Sequence, residues 1–322
     1  MKVLVIKGLT LPTVTDQEIA AIGNAAGDGS EVVVVDGVRA AMEHAAATDV
    51  ILGVMPQRLL DASPNVRWVH ATASGVDAFM YPAFQDSDII LTGEKGLVGG
   101  HLADTGFGLL LALTRQIHTA IKLGSGAWDQ REAMRKVEIE LEGLTMGIVG
   151  FGGTGRAMAR RALGFGMKLV ALDEMVVPGG DGVAEVWSAS RLDDLLAVSD
   201  VVAICCPLTK ATSRLFDDRA FAAMKPGAIL VNVTRGEVVD GDALVRALQS
   251  GRLGGAALDV FDGEPLAADH PIWGFDNVAM TPHTAGASQL RAPRNVQRFV
   301  DNLVRFRNSQ ELVGVVDKQA GF

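Results

Sequence analysis

The run TMGIVGFGGTGRAMARRAL, residues 145–163, constrains the fold more than any other stretch of this chain. It reads as an apolar β-strand that ends in Gly150-x-Gly152-x-x-Gly155 and passes directly into a helix opening at Arg156. Glycines at this spacing mark backbone where side chains are excluded. Gly150 allows a tight turn, Gly152 lets a pyrophosphate approach, and Gly155 lets the helix pack on the strand. The free N–H groups and positive dipole end of such a helix suit phosphate. A turn of this kind sits at the carboxyl end of a parallel strand, so it commits its surroundings to an α/β architecture. The next apolar run, KLVALDE, ends in Asp173, 18 residues beyond Gly155, where an acidic side chain can take the adenine ribose hydroxyls. Asp173 would repel a 2′-phosphate, and no Arg follows it in EMVVPGG, so NAD is expected in preference to NADP.

The same alternation extends along the chain. Before the glycine turn, VLVIKG (3–8), EVVVVD (31–36), DVILGVM (49–55), VRWVHATA (66–73) and IILTG (89–93) read as strands. TDQEIAAIGNAAG, VRAAMEHAAA and PQRLLDAS lie between them as helical stretches. Near-continuous apolar strands alternating with helices imply a parallel sheet covered on both faces. One long helix is expected over HLADTGFGLLLALTRQIHTAIKLG (101–124). The pattern then restarts with LTMGIVG, KLVALDE, AEVW, VVAICC, AILVNV, GGAALDV and NVAMTP as strands. It ends in SQLRAPRNVQRFVDNLVRFRNSQ, an amphipathic helix whose apolar side is Val296, Phe299, Val300, Leu303, Val304 and Phe306. Two α/β sheets in series are expected. The glycine turn comes late because a complete α/β unit precedes it, and that unit is expected to close over the far end of a bound dinucleotide.

Composition narrows the function. With 322 residues, 48% apolar and 21% charged, the chain can bury the cores of two domains. A formal charge of −9 argues against nucleic acid, which needs a basic footprint. A small anionic substrate is still admissible, because a few cations in a cleft override the global sign. The opening MKVLVIKGLTLP is too soon broken for a secretory signal, and GFGLLLALT (106–114) is well short of the ~20 residues of a membrane span. The only two cysteines, Cys205 and Cys206, are sequence neighbours and so poorly placed for a disulfide; a reducing, cytoplasmic setting is expected.

Hydride transfer to a carbonyl needs a proton donor, a group that tunes it and a cation that orients the substrate. Arg235 in AILVNVTRGEVVD, Glu264 in LDVFDGEP and His283 in AMTPHTAGAS each follow a strand of the second sheet, on the end where the glycine turn lies. Arg235 offers a planar fork matched to a carboxylate, which lysine cannot reproduce. A carboxylate at Glu264 beside the imidazole of His283 favours its protonated form and keeps a proton available near neutral pH. The other histidines, His44, His70, His101, His118 and His270, lack this context.

With these residues in place, the chain resembles the D-isomer-specific 2-hydroxyacid dehydrogenases from about Trp68 to Gly286. The pieces that carry the resemblance are WVHATASGVDAF (68–79), GFGGTGR, LDDLLAVSDVVAICCPLTKATSRLFD (192–217), VNVTRGEVVDGDALVRALQSGRLGGAALDVFDGEP (231–265) and TPHTAG (281–286). The resemblance implies two doubly wound parallel-sheet domains: a Rossmann NAD-binding domain, residues 95–287, inserted into a flavodoxin-like substrate domain, residues 1–94 plus 288–322. It makes Arg235, Glu264 and His283 a catalytic trio acting on a 2-oxoacid. Ser74 and Gly75 would offer backbone N–H groups to the substrate carboxylate. Gly150, Gly152, Gly153, Thr154, Gly155, Asp173, Cys206, Pro207, Val233, Thr234, Arg235, His283, Ala285 and Gly286 would line the cofactor, with Asp259 on the nicotinamide carboxamide. Cys206 reads equally well as a small buried hydrophobe. Met55, Pro56, Trp128 and the loop from Glu94 to His101 would shape substrate choice, with Lys95 available to a second anionic group. Two-fold dimers are implied. Thr154 and Asp104 depart from the common pattern (an aliphatic residue and Glu) without touching the trio. Two rivals stand beside this reading. One is oxidation of formate or phosphite, weakened by Glu264 where formate enzymes carry an amide. The other is a non-catalytic, NAD-sensing corepressor-like protein.

Overall fold

The computed structural model describes residues 1–322 and divides into two units, Met1–Val98 with Ala287–Phe322, and Gly99–Gly286. In the first unit, β1 (Lys2–Lys7), β2 (Glu31–Asp36), β3 (Val50–Gly53), β4 (Trp68–Ala71) and β5 (Ile90–Thr92) form one parallel sheet in the order β2-β1-β3-β4-β5. This is the flavodoxin-like order. In the second unit, β6 (Thr145–Val149), β7 (Lys168–Asp173), β8 (Val186–Ser188), β9 (Val201–Ile204), β10 (Ala228–Asn232), β11 (Leu253–Leu258) and β12 (Val278–Met280) form a parallel sheet in the order β12-β11-β10-β9-β6-β7-β8. Counted from β6, that is the Rossmann order extended by one strand.

The first unit shows why its chain is discontinuous. One face of its sheet buries Val3, Val5, Val50, Leu52 and Trp68, and Val296, Phe299 and Leu303 of the helix Arg291–Arg307 cover that face. Trp68 and Phe299 stack with ring centroids 5.0 Å apart. The helix is pinned as well as packed. Glu94, 1% exposed, accepts from Nε and Nη2 of Arg291 (3.0 and 2.7 Å to Oε2) and from Nδ2 of Asn295 (3.0 Å). A fork-to-carboxylate pair with a further amide donor satisfies a buried charge that would otherwise be costly. The loop that sequence reading offered to the substrate therefore opens on a structural ion pair. Its neighbour Lys95 lies over the Phe322 ring at 5.8 Å, and Met55, at 1% exposure, belongs to the core on the sheet's other face. At the N-terminal side, the helix Asp16–Ala26 begins with a reciprocal capping box between Thr15 and Glu18.

His70, in β4, is fully buried, with Nδ1 2.6 Å from the Thr92 hydroxyl, which also accepts from Trp68 Nε1 at 2.8 Å. Burial first, and then the nearby Arg298 charge, push its pKa down to about 3. The unfolded chain takes up this proton near the ordinary imidazole value of 6.5 while the folded chain does not. Stability is thus complete above that value and falls as the pH drops through it, by about 2 kcal/mol at pH 5. Denaturant titrations at pH 7.5 and pH 5 should show this loss in the wild type and less of it in His70→Gln. Equal losses in both would remove His70 as the cause.

The second unit buries one cluster on each face of its sheet. Phe107, Leu110, Met146, Ile148, Phe151 and Met158 lie on one side; Leu195, Ile204, Phe216, Phe221 and Leu244 lie on the other. One expectation fails here. The predicted continuous helix over 101–124 is two helices, Gly99–Thr114 and Ile117–Leu123. Gln116 between them is left-handed (φ 53°), and its side-chain Nε2 donates to the Leu113 carbonyl at 3.0 Å. The break is closed by a side chain acting locally, so no glycine or proline marks it.

Candidate active site

The order of the second sheet reverses between β6 and β9, and the glycine turn lies at that switch point. Gly150 has φ +94°, and a Cβ there would meet the Cys206 nitrogen at 2.6 Å. A Cβ at Gly155 would stand 2.1 Å from the Gly150 carbonyl oxygen, whereas one at Gly152 would project into open space. Gly150 and Gly155 are therefore required by the fold itself, whereas at Gly152 the fold leaves open space. The helix Gly153–Gly164 follows Gly152 with no side-chain cap, so its first N–H groups stay available to a ligand. Asp173 ends β7. Its Oδ2 accepts from the Phe151 N–H at 2.6 Å and its Oδ1 from Met175 N–H at 2.9 Å, which holds the carboxylate beside the turn. An open cradle, uncapped donors and an acidic strand end together fit a dinucleotide.

Cys206 ends the neighbouring segment after β9, buried like Cys205. Burial pushes its thiol up to about 12, so it is a packed hydrophobe without nucleophilic character. Pro207 is exposed, while Val233 and Ala285 are part of the core. The last two can face a ligand only through their backbone.

Two buried polar residues at adjacent strand ends shape the chemistry-bearing loops. Asn232 ends β10 and is 1% exposed; Asp259 follows β11 and is fully buried, with its N–H donating to the Asn232 carbonyl at 2.9 Å. Asp259 holds the His283 loop. Its carboxylate accepts from the Thr281 hydroxyl (2.6 Å), Thr284 N–H (2.8 Å) and Ala285 N–H (2.8 Å), while its carbonyl accepts from His283 N–H (2.8 Å). Asp259 is fully buried, and both of its carboxylate oxygens accept from its own loop. What it sustains is a left-handed His283 (φ 53°), a conformation uncommon for a residue with a Cβ.

His283 and Glu264 are brought together across 19 residues, with Nδ1 2.6 Å from Oε2. The other carboxylate oxygen, Oε1, accepts from Phe261 N–H at 2.9 Å. Both Glu264 oxygens are thus oriented, and the imidazole is 47% exposed at its side chain. Arg235 stands in the turn after β10, half-buried and extended (φ −140°), with Nη1 donating to the Thr234 carbonyl at 2.8 Å. The next residue, Gly236, is wedged against the same loop as Glu264: a Cβ there would lie 1.9 Å from the Phe261 carbonyl oxygen. The guanidinium arm and the imidazole–carboxylate pair are therefore keyed to one backbone segment. Together they can fix an anion and exchange a proton with a neighbouring oxygen. Ser74 and Gly75 lie in the other unit, in the open loop after β4, with Ser74 exposed. Sequence reading missed Asn232 as a functional residue. The signal available was a polar residue at the buried end of the apolar run AILVN.

Comparison with known proteins identifies the family. Residues 107–285 match the family model described as D-isomer specific 2-hydroxyacid dehydrogenase, NAD binding domain. Over 270 residues the chain is 36% identical to a glyoxylate reductase of Thermofilum pendens, covering 81% of this chain and 78% of that protein. It is 36% identical over 250 residues to an (S)-sulfolactate dehydrogenase of Chromohalobacter salexigens, covering 77% of this chain and 80% of that one. Among solved structures, an NADPH-dependent glyoxylate/hydroxypyruvate reductase from Sinorhizobium meliloti superposes with a TM-score of 0.79 at 26% identity, covering 100% of this chain and 99% of that one.

Proposed function

The chain belongs to the D-isomer specific 2-hydroxyacid dehydrogenase family, and on that premise we propose that it interconverts a short 2-oxoacid and its D-2-hydroxyacid with NAD as the preferred cofactor. The observation that carries this reading is the 2.6 Å pair of His283 and Glu264, set on the strand ends next to the turn that holds Arg235. The turn Gly150–Gly155, with Asp173, would hold the dinucleotide. When bound, that group supplies a hydride for reduction and accepts one for oxidation.

The chain's own residues supply the rest. The Arg235 fork binds the substrate carboxylate and carbonyl and draws electron density toward the carbonyl oxygen. Nδ1 of His283 is committed to Glu264, so Nε2 is the atom that gives a proton to that oxygen during reduction and takes it back during oxidation. Glu264 keeps the ring oriented and balances its charge.

The preference for NAD rests on Asp173 and on the fate of nearby cations. Arg156 Nη2 donates to the Pro178 carbonyl at 2.6 Å, and Asp181 pairs with both Arg156 (3.4 Å) and Arg160 (3.2 Å). A 2′-phosphate would meet the Asp173 carboxylate while the two guanidiniums are already engaged. The test is a panel of glyoxylate, hydroxypyruvate, pyruvate and formate's own oxidation, each with NADH or NAD and with the phosphorylated cofactor. Turnover of a 2-oxoacid with NADH favoured, and a ratio moved toward NADPH by Asp173→Ala, is the expected outcome. A wild type that prefers NADPH sinks the cofactor reading. Silence on all 2-oxoacids sinks the enzymatic one and favours the NAD-sensing rival.

The stretch 117–139 also supports a homodimer. Ile121 is 76% exposed and Trp128 78%, with Ile117 and Val137 half bare beside them in sequence. Large apolar side chains concentrated in one segment mark an association surface. Sedimentation should give twice the chain mass for wild type and the single mass for Ile121→Asp; a monomeric wild type overturns the dimer.

A further inference from the structure

We propose that Asn232 is the positioning residue of the substrate-binding arm: its side-chain amide closes the turn that aims Arg235, and its loss is felt as lost 2-oxoacid affinity. This rests on the reading of Arg235 as the carboxylate-binding residue.

The turn from Val233 to Arg235 carries no proline and no glycine, so its shape must come from elsewhere. It comes from one side chain. Asn232 Oδ1 accepts from Thr234 N–H at 3.1 Å and from the Thr234 hydroxyl at 3.3 Å, while Nδ2 donates to the Arg235 carbonyl at 2.8 Å. The orientation of the amide is forced. A peptide N–H can only donate and a carbonyl can only accept, so the reverse flip would break both bonds. The first of these contacts is the side-chain-closed turn that asparagine favours. The Arg235 contact goes further, because it ties the backbone of the residue read as the carboxylate-binding arm. No other residue type offers an acceptor and a donor on one planar group at this reach. Aspartate lacks the donor, serine the span, and glutamine carries an extra methylene.

The base of this brace is rigid. Asn232 is the last residue of β10, a strand hydrogen-bonded on both sides to β9 and β11. Its own carbonyl accepts from Asp259 N–H at 2.9 Å. Beyond the turn, Gly236 abuts the Phe261 carbonyl, and Phe261 N–H holds Oε1 of Glu264. Asn232 therefore braces the joint, residues 233–235, between a fixed strand end and a fixed loop. Freeing that joint moves the guanidinium relative to the imidazole while leaving the glycine turn at β6 untouched. A displacement of about 1 Å in a substrate-orienting group is enough to cost on the order of 100-fold in rate.

The experiment uses the full-length protein and its Asn232→Ala variant, with glyoxylate and NADH. For the variant, KM for glyoxylate should rise at least tenfold, with a smaller change in kcat. NADH affinity, read by fluorescence titration, should stay within twofold. A merely structural role would lower thermal stability while leaving the KM of the folded fraction alone. Asn232→Asp retains the acceptor and loses the donor to Arg235, so it should raise KM as the alanine does. A double-mutant comparison localises the effect. In an Arg235→Lys background, adding Asn232→Ala should cost less than twofold further, because the arm it positions is already impaired. Should Asn232→Ala fail to fold, Asn232→Ser carries the same measurements. An unchanged glyoxylate KM in a folded variant overturns the inference, as does full additivity with Arg235→Lys. A wild type inactive on every 2-oxoacid overturns this inference together with the function it rests on, whereas an active wild type with an indifferent Asn232→Ala overturns this inference alone.

Discussion

Replacing Arg235 with alanine is expected to lower kcat/KM for 2-oxoacid reduction by about 1,000-fold, close to 4 kcal/mol of transition-state stabilisation. The guanidinium has two tasks in one geometry. It pairs with the substrate carboxylate, and it lies against the carbonyl oxygen where negative charge grows as the bond is reduced. Alanine removes both, and an unanchored 2-oxoacid loses its approach to the donor. Arg235→Lys separates the two tasks, since an ammonium restores charge without the fork; it should recover only part of the loss. The dinucleotide cradle is built from β6, β7 and the helix Gly153–Gly164, so NADH binding should remain near wild type in both variants. Steady-state kinetics with a fluorescence titration of NADH checks both statements. An alanine variant that keeps a tenth or more of wild-type kcat/KM would place the substrate carboxylate elsewhere.

Removal of His283 should act on kcat. A positioned proton donor contributes on the order of 100- to 10,000-fold, and nothing beside it in the loop can take its place. Thr281 is tied to Asp259, and Thr284 contributes its backbone N–H to the same carboxylate. His283→Ala is therefore expected to lose activity within that range in both directions of the reaction. Glu264→Gln should be milder, about 10- to 100-fold, because a glutamine still offers an oxygen to the imidazole but gives up the charge and the acceptor for the Phe261 N–H. If His283→Ala retained wild-type kcat, the proton would have to come from another group, and the 2.6 Å pair would be structural.

His283 also shows what the fold invests in this site. A left-handed residue bearing a Cβ is a strained choice, and the fully buried carboxylate of Asp259 accepts three hydrogen bonds from its loop to sustain it.

Much of the architecture was written locally. The strand, glycine turn and helix over 145–163 could be read because each part has its own short-range signature, and Asp173 lay at the spacing the motif asks for. The apolar runs of both sheets were equally plain, since a strand buried on both faces has little room for polar residues. The break at Gln116 was not legible, because a side-chain bond to Leu113 replaces the usual glycine or proline. The buried pair of Glu94 with Arg291 was not legible either, for its partners lie nearly two hundred residues apart.

The sequence by itself determined the elements, their α/β alternation, the phosphate-binding turn and the three strand-end residues suited to acid–base and anion chemistry. Only the tertiary structure decided which strand lies beside which, and with that the meeting of Glu264 and His283 and the keying of Gly236 onto Phe261. The reason is physical. Periodicity and turn residues report on neighbours along the chain, whereas parallel strands are joined by long crossovers, so the contacts that bring distant side chains together belong to segments the local pattern never compares.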